Sequence, residues 1–501
     1  MKRLFFVSTV TRRPLLVVTV TASTTADLRR RRDSVEDADL VELRLDGVND
    51  LDVAGALAGR TRPVIVTCRP GWEGGSFHGS EDERRRILGS ALSLGAEYVD
   101  VEWRAGFADL LDQTGGRRIV LSFHDFLSVP PDLVSILGAM QACGTEIIKL
   151  ATKANRLSDC LPLLALHDEA RGVGRLVLIA MGEAGLASRV LAARFGSIWT
   201  YAGQLAELGQ VGPSELLHQY RLRSLGGCTD VYGLVGSPVS HSVSPAMHNA
   251  AFRAAGNDAV YLPLPAADVD DFVTFARAMK LKGASVTIPY KVELCARVDE
   301  RDDAADRIGA INTVRITNGR WHGRNTDASG FLQPLLDSGK PMRDARVAIL
   351  GAGGSARAVA VALSGTGAEL TVHTRHKQQG RRLAALVGAR TGPWPLAPGS
   401  WDVLVNCTPV GMHPRVAESP VPAASLTGHL VYDLVYNPRV TRLLQDAAAR
   451  GCRTIGGLDM LVAQAAEQFA WWTGAEPPPG VMRAAAIDRL SEFSADANHI
   501  V

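Results

Sequence analysis

Short apolar runs recur along the first part of the chain, and segments with helical spacing lie between them. The runs begin near Leu15, Leu40, Pro63, Tyr98, Arg118, Glu146, Leu176 and Ser197. Residues 81–94 and 133–141 show the helical periodicity expected between such runs. Eight strands that alternate with helices over roughly 200 residues are typical of a small (β/α)8 TIM barrel. A doubly wound open sheet is the alternative, but eight units favour a closed barrel.

The pattern is interrupted at Gly226 and Gly227, which indicate a linker. Beyond it, the apolar run at residues 345–350 leads directly into a glycine-rich loop and a helical segment. The chain is therefore predicted to be an α/β protein. Its predicted parts are a barrel over residues 1–224, an α/β lobe over 229–330 to which about 462–485 return, a Rossmann-type lobe over 331–461 and a C-terminal tail over 486–501.

Lys149 lies in the middle of an apolar, β-branched run, where a lysine is not expected. If this run is a buried parallel strand, the amine must be either desolvated or paired with an opposite charge. Desolvation disfavours the charged form and turns a lysine into a nucleophile that can form a Schiff base. An edge strand with an exposed lysine is the alternative.

Further polar residues lie where several predicted strands of the barrel end. Glu42, Arg44 and Asp46 alternate with apolar residues, so one face of their strand carries three charges. Similar positions in or after later runs are held by Arg69, Glu73, His124 and Arg189. The C-terminal rim is where barrel enzymes carry their chemistry. One such charge is more often a solvated surface group, but their repetition favours an active site.

Composition and charge narrow the classes of function. The chain has 501 residues and a formal net charge of +2, so its charge favours neither nucleic acid nor an acidic membrane as a partner. Its seven cysteines are never spaced as CxxC, which argues against a disulfide framework or a zinc site and suits the reducing cytoplasm. The apolar N-terminal stretch ends at Arg12 and Arg13, and we interpret it as a short extension rather than a signal peptide. No metal site and no membrane span are expected.

The glycine-rich loop has the GxGxxA pattern of a dinucleotide-binding fold. Gly351, Gly353 and Ala356 hold the three positions of that pattern, with Gly354 and Ser355 between them. The helix that follows such a loop binds a pyrophosphate at its N-terminus. A tight glycine turn is the alternative for the loop taken alone.

Thr374 and Arg375 indicate the type of cofactor. NAD enzymes place an acidic residue near this point to bind the ribose hydroxyls, whereas this chain has a threonine and an arginine. Arginine pairs well with a 2′-phosphate, so NADP is the predicted cofactor. A basic, solvated turn is the alternative.

The first half resembles the type I 3-dehydroquinate dehydratase family over about residues 15–224, in the segments VELRLD, TCRPGWEGG, SFHDF, EIIKLAT and SRVLAARFGS. The resemblance implies that Lys149 forms the Schiff base, that His124 is the general acid and base, and that Glu73 orients His124. It implies substrate contacts from Glu42, Arg44, Arg69, Arg189 and Gln210, with Arg189 on the substrate carboxylate. Where the family has a serine in its lid loop, this chain has Ala206, so one hydrogen bond of the lid is expected to be missing.

The second half resembles shikimate dehydrogenases over about residues 229–485, in the motifs HSVSP, VTIPYK, GAINT, NTD, GAGGSARA, VNCTPVGM and DMLVAQ. The resemblance implies that Lys291 and Asp327 are the catalytic pair. It implies substrate contacts from Ser242, Ser244, Thr287, Asn312, Tyr436 and Gln464. It also implies cofactor contacts from Gly351, Gly353, Gly354, Ser355, Ala356, Thr374, Arg375, Thr408 and Gly457.

The order of the two halves resembles the bifunctional shikimate-pathway enzymes of plants and some bacteria. This resemblance implies small-molecule substrates and two successive reactions, from 3-dehydroquinate to 3-dehydroshikimate and then to shikimate. One alternative is a second half that acts mainly on quinate. Another is a metabolite-sensing regulator that is built from the same halves but has lost catalytic residues; the presence of Lys149, His124, Lys291 and Asp327 argues against it.

Overall fold

The computed structural model describes residues 13–169, 175–205 and 208–498. Ala206 and the N-terminal extension before Arg13 lie outside the described residues. The chain divides into two compact units, residues 1–229 with 265–278 and residues 230–264 with 279–501.

The first unit is built on eight parallel strands that close into a barrel. Its strands are β1 (Leu15–Thr21), β2 (Leu40–Arg44), β3 (Val64–Thr67), β4 (Tyr98–Glu102), β5 (Ile119–Asp125), β6 (Ile147–Lys153), β7 (Arg175–Met181) and β8 (Trp199–Ala202). The helices between them are α1 (Thr25–Asp33), α2 (Val53–Leu57), α3 (Glu81–Ser93), α4 (Ala108–Thr114), α5 (Leu133–Ala142), α6 (Leu161–Glu169) and α7 (Leu186–Val190). Strands β1 to β7 pair in sequence order, and β8 pairs with β1. The predicted barrel is confirmed.

The barrel closes between β7 and β8 through a single bridge, which joins Leu176 to Ser197. The Ser197 hydroxyl adds to it, since it accepts from the backbone N–H of Leu178 at 2.9 Å. Apolar side chains pack inside the barrel, among them Val17, Ile65, Ile147 and Trp199. Alternate residues face the same side of a strand. Two positions further along these strands, toward their C-terminal ends, the same side therefore holds Thr19, Thr67, Lys149 and Tyr201.

The second unit contains two six-stranded sheets. The first has the order β10-β9-β11-β13-β14-β12. Its strands are β9 (Asp230–Gly236), β10 (Ala259–Pro265), β11 (Gly283–Val286), β12 (Glu300–Arg301), β13 (Thr313–Thr317) and β14 (Arg320–Arg324). The strands of the second sheet are β15 (Arg346–Leu350), β16 (Glu369–His373), β17 (Arg390–Thr391), β18 (Val403–Asn406), β19 (Leu430–Asp433) and β20 (Arg453–Ile455).

The second sheet is entirely parallel and has the order β17-β16-β15-β18-β19-β20. This is the strand order of a Rossmann fold, whose ligand binds where the order reverses, beyond the C-terminal end of β15. Separate apolar clusters include Ile349 and Leu350, neighbours that point to opposite faces of the sheet. The predicted Rossmann-type lobe is confirmed.

Ten helices follow the barrel in the described part of the chain. They are α8 (Ser244–Ala254), α9 (Val269–Ala278), α10 (Lys291–Cys295), α11 (Asp303–Ile308), α12 (Thr326–Asp337), α13 (Gly354–Ser364), α14 (Lys377–Val387), α15 (Arg442–Ala449), α16 (Gly457–Thr473) and α17 (Val481–Asn498). Helix α16 returns to the first sheet, where Trp472 packs against Tyr232 with ring centroids 5.1 Å apart. Helix α17 runs on through residue 486, where the sequence predicts a tail, because Ala486 and Leu490 are buried in the same core.

Helix α9 groups with the first unit, although the predicted boundaries place it in the lobe over 229–330. Asp271 in its first turn is buried. The carboxylate accepts from the backbone N–H groups of Leu157 at 3.0 Å and Ser158 at 2.9 Å. The backbone donors that Asp271 meets lie more than 100 positions earlier in the chain. A local hydrophobic pattern therefore does not indicate this contact.

Candidate active sites

A cavity of about 420 Å³ opens at the C-terminal ends of the barrel strands. Side chains from several strands and from the loops that follow them line it. All eight residues that the sequence predicts for this site are among them: Glu42, Arg44, Arg69, Glu73, His124, Lys149, Arg189 and Gln210. Residues far apart in the chain converge here because parallel strands of a barrel end at one rim.

Lys149 is only 5% exposed, on a strand that is paired on both sides. Strand β6 is therefore not an edge strand, and the exposed-lysine alternative is wrong. The amine is buried and also paired, because its Nζ lies 3.0 Å from Oδ2 of Asp100 and 3.9 Å from Oε1 of Glu42. The face of the Tyr201 ring covers another side, with 4.6 Å between Nζ and the ring centroid.

His124 and Glu73 form a hydrogen-bonded pair at the rim of the cavity. Oε1 of Glu73 lies 2.9 Å from Nδ1 of His124 and also accepts from the backbone N–H of His124 at 3.1 Å. Burial raises the pKa of Glu73 to about 7. Burial, together with the positive charges of Arg69 and Lys149, lowers the pKa of His124 well below its ordinary value. The imidazole is therefore neutral and able to accept a proton near neutral pH.

Arg44, Arg189 and Gln210 also line this cavity. The Arg44 guanidinium is held by both carboxylate oxygens of Asp46, at 2.9 and 2.8 Å. Arg189 lies on α7, donates to the carbonyl oxygen of Leu208 at 2.7 Å, and has a pKa lowered to about 10 by burial. Its Nε is buried and has no hydrogen-bond partner within the described ranges of the chain. A buried guanidinium with a spare donor is suited to an anionic group of a ligand.

The second unit has a cavity of about 190 Å³. The eight residues predicted for the shikimate site all line it: Ser242, Ser244, Thr287, Lys291, Asn312, Asp327, Tyr436 and Gln464. Ser355 and Gly457, two of the predicted cofactor residues, line the same cavity. The predicted catalytic pair therefore lies beside the loop of the Rossmann fold.

Lys291 and Asp327 are in direct contact, with 2.5 Å between Nζ and Oδ2. The other oxygen of Asp327 accepts from Nδ2 of Asn312 at 2.8 Å. Asp327 is in the first turn of α12, where Asn325 caps the helix by accepting the Asp327 N–H at 3.1 Å. Nδ2 of Asn312 also lies 3.4 Å from Oε1 of Gln464. Amide and cap contacts thus hold the carboxylate in one orientation toward the lysine.

Comparisons with known proteins find relatives of both halves of the chain. The family model of type I 3-dehydroquinase matches residues 16–226, that of the shikimate dehydrogenase substrate-binding domain matches 234–314, and that of the shikimate 5′-dehydrogenase C-terminal domain matches 457–487. A bifunctional 3-dehydroquinate dehydratase/shikimate dehydrogenase of Arabidopsis thaliana is 35% identical over 478 residues, which cover 88% of this chain and 78% of that protein. The chain belongs to this bifunctional family.

Relatives of the second half are also found singly. A shikimate dehydrogenase (NADP+) of Dehalococcoides mccartyi is 41% identical over 276 residues, which cover 52% of this chain and 96% of that protein. A crystal structure of a shikimate dehydrogenase in complex with NADP+ is 36% identical with a TM-score of 0.51, and the match covers 53% of this chain and 97% of that one.

Asp100 and Glu102, which were not predicted from the sequence, pair with charged residues that line the barrel cavity. Arg69 is held by Oδ1 of Asp100 at 2.9 Å and Oε1 of Glu102 at 2.7 Å. The buried Arg84 of α3 pairs with the other oxygen of Glu102. Burial alone would raise the pKa of Asp100, but the charges of Arg69 and Lys149 hold it below its ordinary value. The alternation of acids with valines in YVDVE is the same signal that indicated Glu42.

Ser285 and Gln468 were missed in the shikimate dehydrogenase half. Tyr261 donates its hydroxyl to Ser285 at 2.6 Å, and the Ser285 hydroxyl donates to Oε1 of Gln468 at 2.6 Å. Nε2 of Gln468 then donates to the carbonyl oxygen of Asn312 at 3.3 Å. This buried chain supports the residue that holds Asp327. Gln468 lies four positions after Gln464 on α16, and that helical spacing is the available sequence signal.

The predicted cofactor residues form two groups. Gly351 has a φ of 104° at the end of β15, and a Cβ there would meet Cγ2 of Thr408 at 3.3 Å, so this turn favours glycine. Helix α13 begins at Gly354. At the end of β16, a cavity of about 190 Å³ is lined by Thr374, Lys377 and Arg381 but not by the exposed Arg375.

Within residues 13–169, 175–205 and 208–498, no group of three His, Cys, Asp or Glu side chains is placed to hold a metal ion. Among these same residues, no helix has the length and apolar character that crossing a membrane requires.

Proposed function

We propose that this chain dehydrates 3-dehydroquinate to 3-dehydroshikimate in its barrel and reduces 3-dehydroshikimate to shikimate with NADPH in its second unit. One observation carries the proposal: in a chain of the bifunctional family, each predicted set of residues lines a single cavity. The metabolite-sensing alternative requires lost catalytic residues, whereas Lys149, His124, Lys291 and Asp327 are all present and in contact with suitable partners.

The dehydration begins at Lys149. Its amine attacks the ring ketone, a C–N bond forms, and the carbonyl oxygen leaves as water, which produces a protonated imine. The cationic imine withdraws electrons and acidifies the adjacent C–H. His124 takes that proton at Nε2 and returns it to the hydroxyl that departs, while Glu73 holds the imidazole through Nδ1. Water then hydrolyses the imine and frees the lysine.

The other polar residues that line the barrel cavity orient the substrate. Arg189, which lines the cavity, binds the carboxylate through its guanidinium group. Further substrate contacts come from Glu42, Arg44, Arg69 and Gln210, which line the same cavity. The rigid pairs that hold Arg44 and Arg69 keep these contacts in place.

The reduction depends on Lys291 and Asp327. Negative charge develops on the carbonyl oxygen during reduction, and Lys291 stabilises it and donates the proton. Asp327 holds the lysine and binds the substrate hydroxyl. The other substrate contacts come from residues that line the same cavity: Ser242, Ser244, Thr287, Asn312, Tyr436 and Gln464.

The residues of the Rossmann lobe fit a dinucleotide. A Cβ placed on Gly353 or Gly354 would meet nothing within 4 Å, so there is open space above the N-terminus of α13 for a pyrophosphate. The cofactor would be held by Gly351, Ser355, Ala356, Thr408 and Gly457. Its 2′-phosphate would be bound by Thr374 and Arg375. When bound, NADPH supplies the hydride.

The test is a coupled assay of the full chain. Supplied with 3-dehydroquinate alone, the protein should form an enone that absorbs ultraviolet light; added NADPH should then be consumed as shikimate appears. The reverse reaction with NADP+ compares shikimate with quinate as substrates. No enone, or reduction of NADP+ that prefers quinate to shikimate, would contradict the proposal for the corresponding half.

We also infer that the protein works in the cytoplasm. All seven cysteines are free, as a reducing compartment favours. The Arabidopsis relative is described as chloroplastic, so fractionation of the source cells is the direct test. Recovery in an oxidising compartment would contradict the inference.

A further inference from the structure

Tyr201 lies directly against the reacting nitrogen of the barrel. It is on β8, where it pairs in register with Val17 of β1, and it is only 3% exposed. It lines the same cavity as Lys149, and its ring centroid lies 4.6 Å from Nζ. This distance is within the range over which a cation is attracted to an aromatic face.

The acids near Lys149 are largely engaged by other groups. Both oxygens of Glu42 accept from threonine hydroxyls at 2.8 Å, those of Thr19 and Thr67. Asp100 shares its charge between Lys149 and Arg69. The ring face is therefore a substantial part of what Nζ meets in this buried place.

We propose that Tyr201 is a positioning residue for Lys149. The face of the Tyr201 ring stabilises the cationic nitrogen of Lys149 before and after the imine forms. The inference rests on the proposed dehydratase function. Attack on the ketone converts the ammonium group and the carbonyl into a protonated imine and one water, so the positive charge stays on the same nitrogen. The imine has fewer N–H donors than the ammonium group. An aromatic face needs no N–H donor in order to attract the cation.

The phenol itself stays neutral. Burial and the negative charges of Glu42 and Asp100 raise the pKa of Tyr201 well above its ordinary value. The side chain of Trp199 is near its hydroxyl, but no hydrogen bond of good geometry reaches that hydroxyl among the residues that the structure describes. The ring and the hydroxyl therefore make separate predictions, which two variants distinguish.

Tyr201→Phe keeps the ring and removes the hydroxyl, whereas Tyr201→Leu removes the ring. We expect Tyr201→Phe to stay within about twofold of the wild type, and Tyr201→Leu to lower the kcat of dehydration about tenfold, with a smaller change in KM. Trapping of the imine by borohydride should slow in parallel with kcat. Shikimate dehydrogenase activity of the same chain, which should not change, reports folding of the rest.

A sharper pair covers the case in which Tyr201→Leu fails to fold. Phenylalanine and pentafluorophenylalanine at position 201 have similar shapes but ring quadrupoles of opposite sign. The fluorinated ring should lower kcat and slow trapping, although it fills the same space. Equal rates for this pair would overturn the inference.

Failure of the inference is distinguishable from failure of the proposed function. If Lys149→Ala abolishes dehydration and trapping while the fluorinated ring has no effect, only the role of Tyr201 is wrong. If the wild-type chain neither dehydrates 3-dehydroquinate nor forms a trapped imine, the proposed dehydratase function is wrong.

Discussion

The Nζ atom of Lys291 lies 2.5 Å from Oδ2 of Asp327, and Asn312 holds the other oxygen of that carboxylate at 2.8 Å. The corresponding lysine of the barrel is paired with Asp100 at 3.0 Å. Each half thus has a lysine that forms an ion pair with an aspartate. The partners of each lysine lie in its own compact unit.

Single lysine substitutions should separate the two activities. Lys291→Ala should lower shikimate dehydrogenase activity about 10²-fold or more, because a proton donor is lost, and leave dehydration near wild type. Lys149→Ala should have the reverse effect. Loss of both activities from either change, in protein that still melts cooperatively, would show a coupling between the halves.

Asp100→Asn should impair dehydration strongly. The substitution leaves Lys149 and Arg69 with less negative charge in a buried place, and unpaired buried charges cost about 3–5 kcal/mol. We expect slower imine trapping, a lower kcat and a lower melting temperature. Asp109→Asn on the surface of α4, where the acid pairs with Arg85 at 3.3 Å, is the matched control. Equal behaviour of the two variants would contradict a role for Asp100.

Dehydration should depend on a group that titrates near pH 7. Burial raises the pKa of Glu73 to about 7. Above that pH, the carboxylate accepts from Nδ1 of His124 and leaves Nε2 free as the base. The value of kcat/KM should therefore rise as the pH passes about 7, since this ratio reports groups of the free enzyme. In Glu73→Gln the rise near pH 7 should be absent and the rate lower throughout.

The same group predicts how stability changes with pH. The pKa of Glu73 in the folded protein is above the ordinary value, so its favourable contribution is complete below the ordinary pKa and is lost as the pH rises through about 7. Glu73→Gln should therefore raise the melting temperature, relative to the wild type, more at about pH 8 than at about pH 5. An equal difference at both pH values would contradict the raised pKa.

Gln468→Leu should slow the reduction without removing either catalytic residue. The amide accepts from Ser285 and supports Asn312, and loss of a buried hydrogen-bond partner costs about 1–3 kcal/mol. We expect kcat to fall about three- to tenfold and dehydration to be unchanged. Gln333→Leu, at an exposed site on α12, is the control. An unchanged kcat for Gln468→Leu would show that the buried chain is only structural.

Arg375→Ala should raise the KM for NADPH by about one to two decades and hardly change that for NADH, because a charge-assisted phosphate contact is lost. Arg390→Ala is the control, since that side chain is 77% exposed and pairs with Glu369. Arg381→Ala tests the cavity at the end of β16. If Arg381→Ala raises the KM for NADPH selectively and Arg375→Ala does not, the phosphate contact is made by Arg381 of α14 and not by Arg375.

Local patterns were sufficient to predict the barrel strands and the strand, loop and helix at the start of the Rossmann lobe. The apolar run near Leu40 becomes β2 and that near Glu146 becomes β6, and the GxGxxA loop lies between β15 and α13. The periodicity of a strand or a helix depends only on neighbouring residues, so such elements can be predicted without the tertiary structure. The boundary predicted at residue 486 does not match the end of a helix, because α17 continues past it. This helix packs against a core that is formed by residues elsewhere in the chain.

By itself the sequence determined the order of strands and helices, the chemistry-bearing residue types and their place at strand ends. Only the tertiary structure decided that β6 is paired on both sides, that Asp100 meets Lys149, and that Gln468 supports Asn312. These contacts join residues that are far apart in the chain, so they depend on strand register and barrel closure. In a closed barrel, register determines which inward side chains share a level, and no local period encodes that choice.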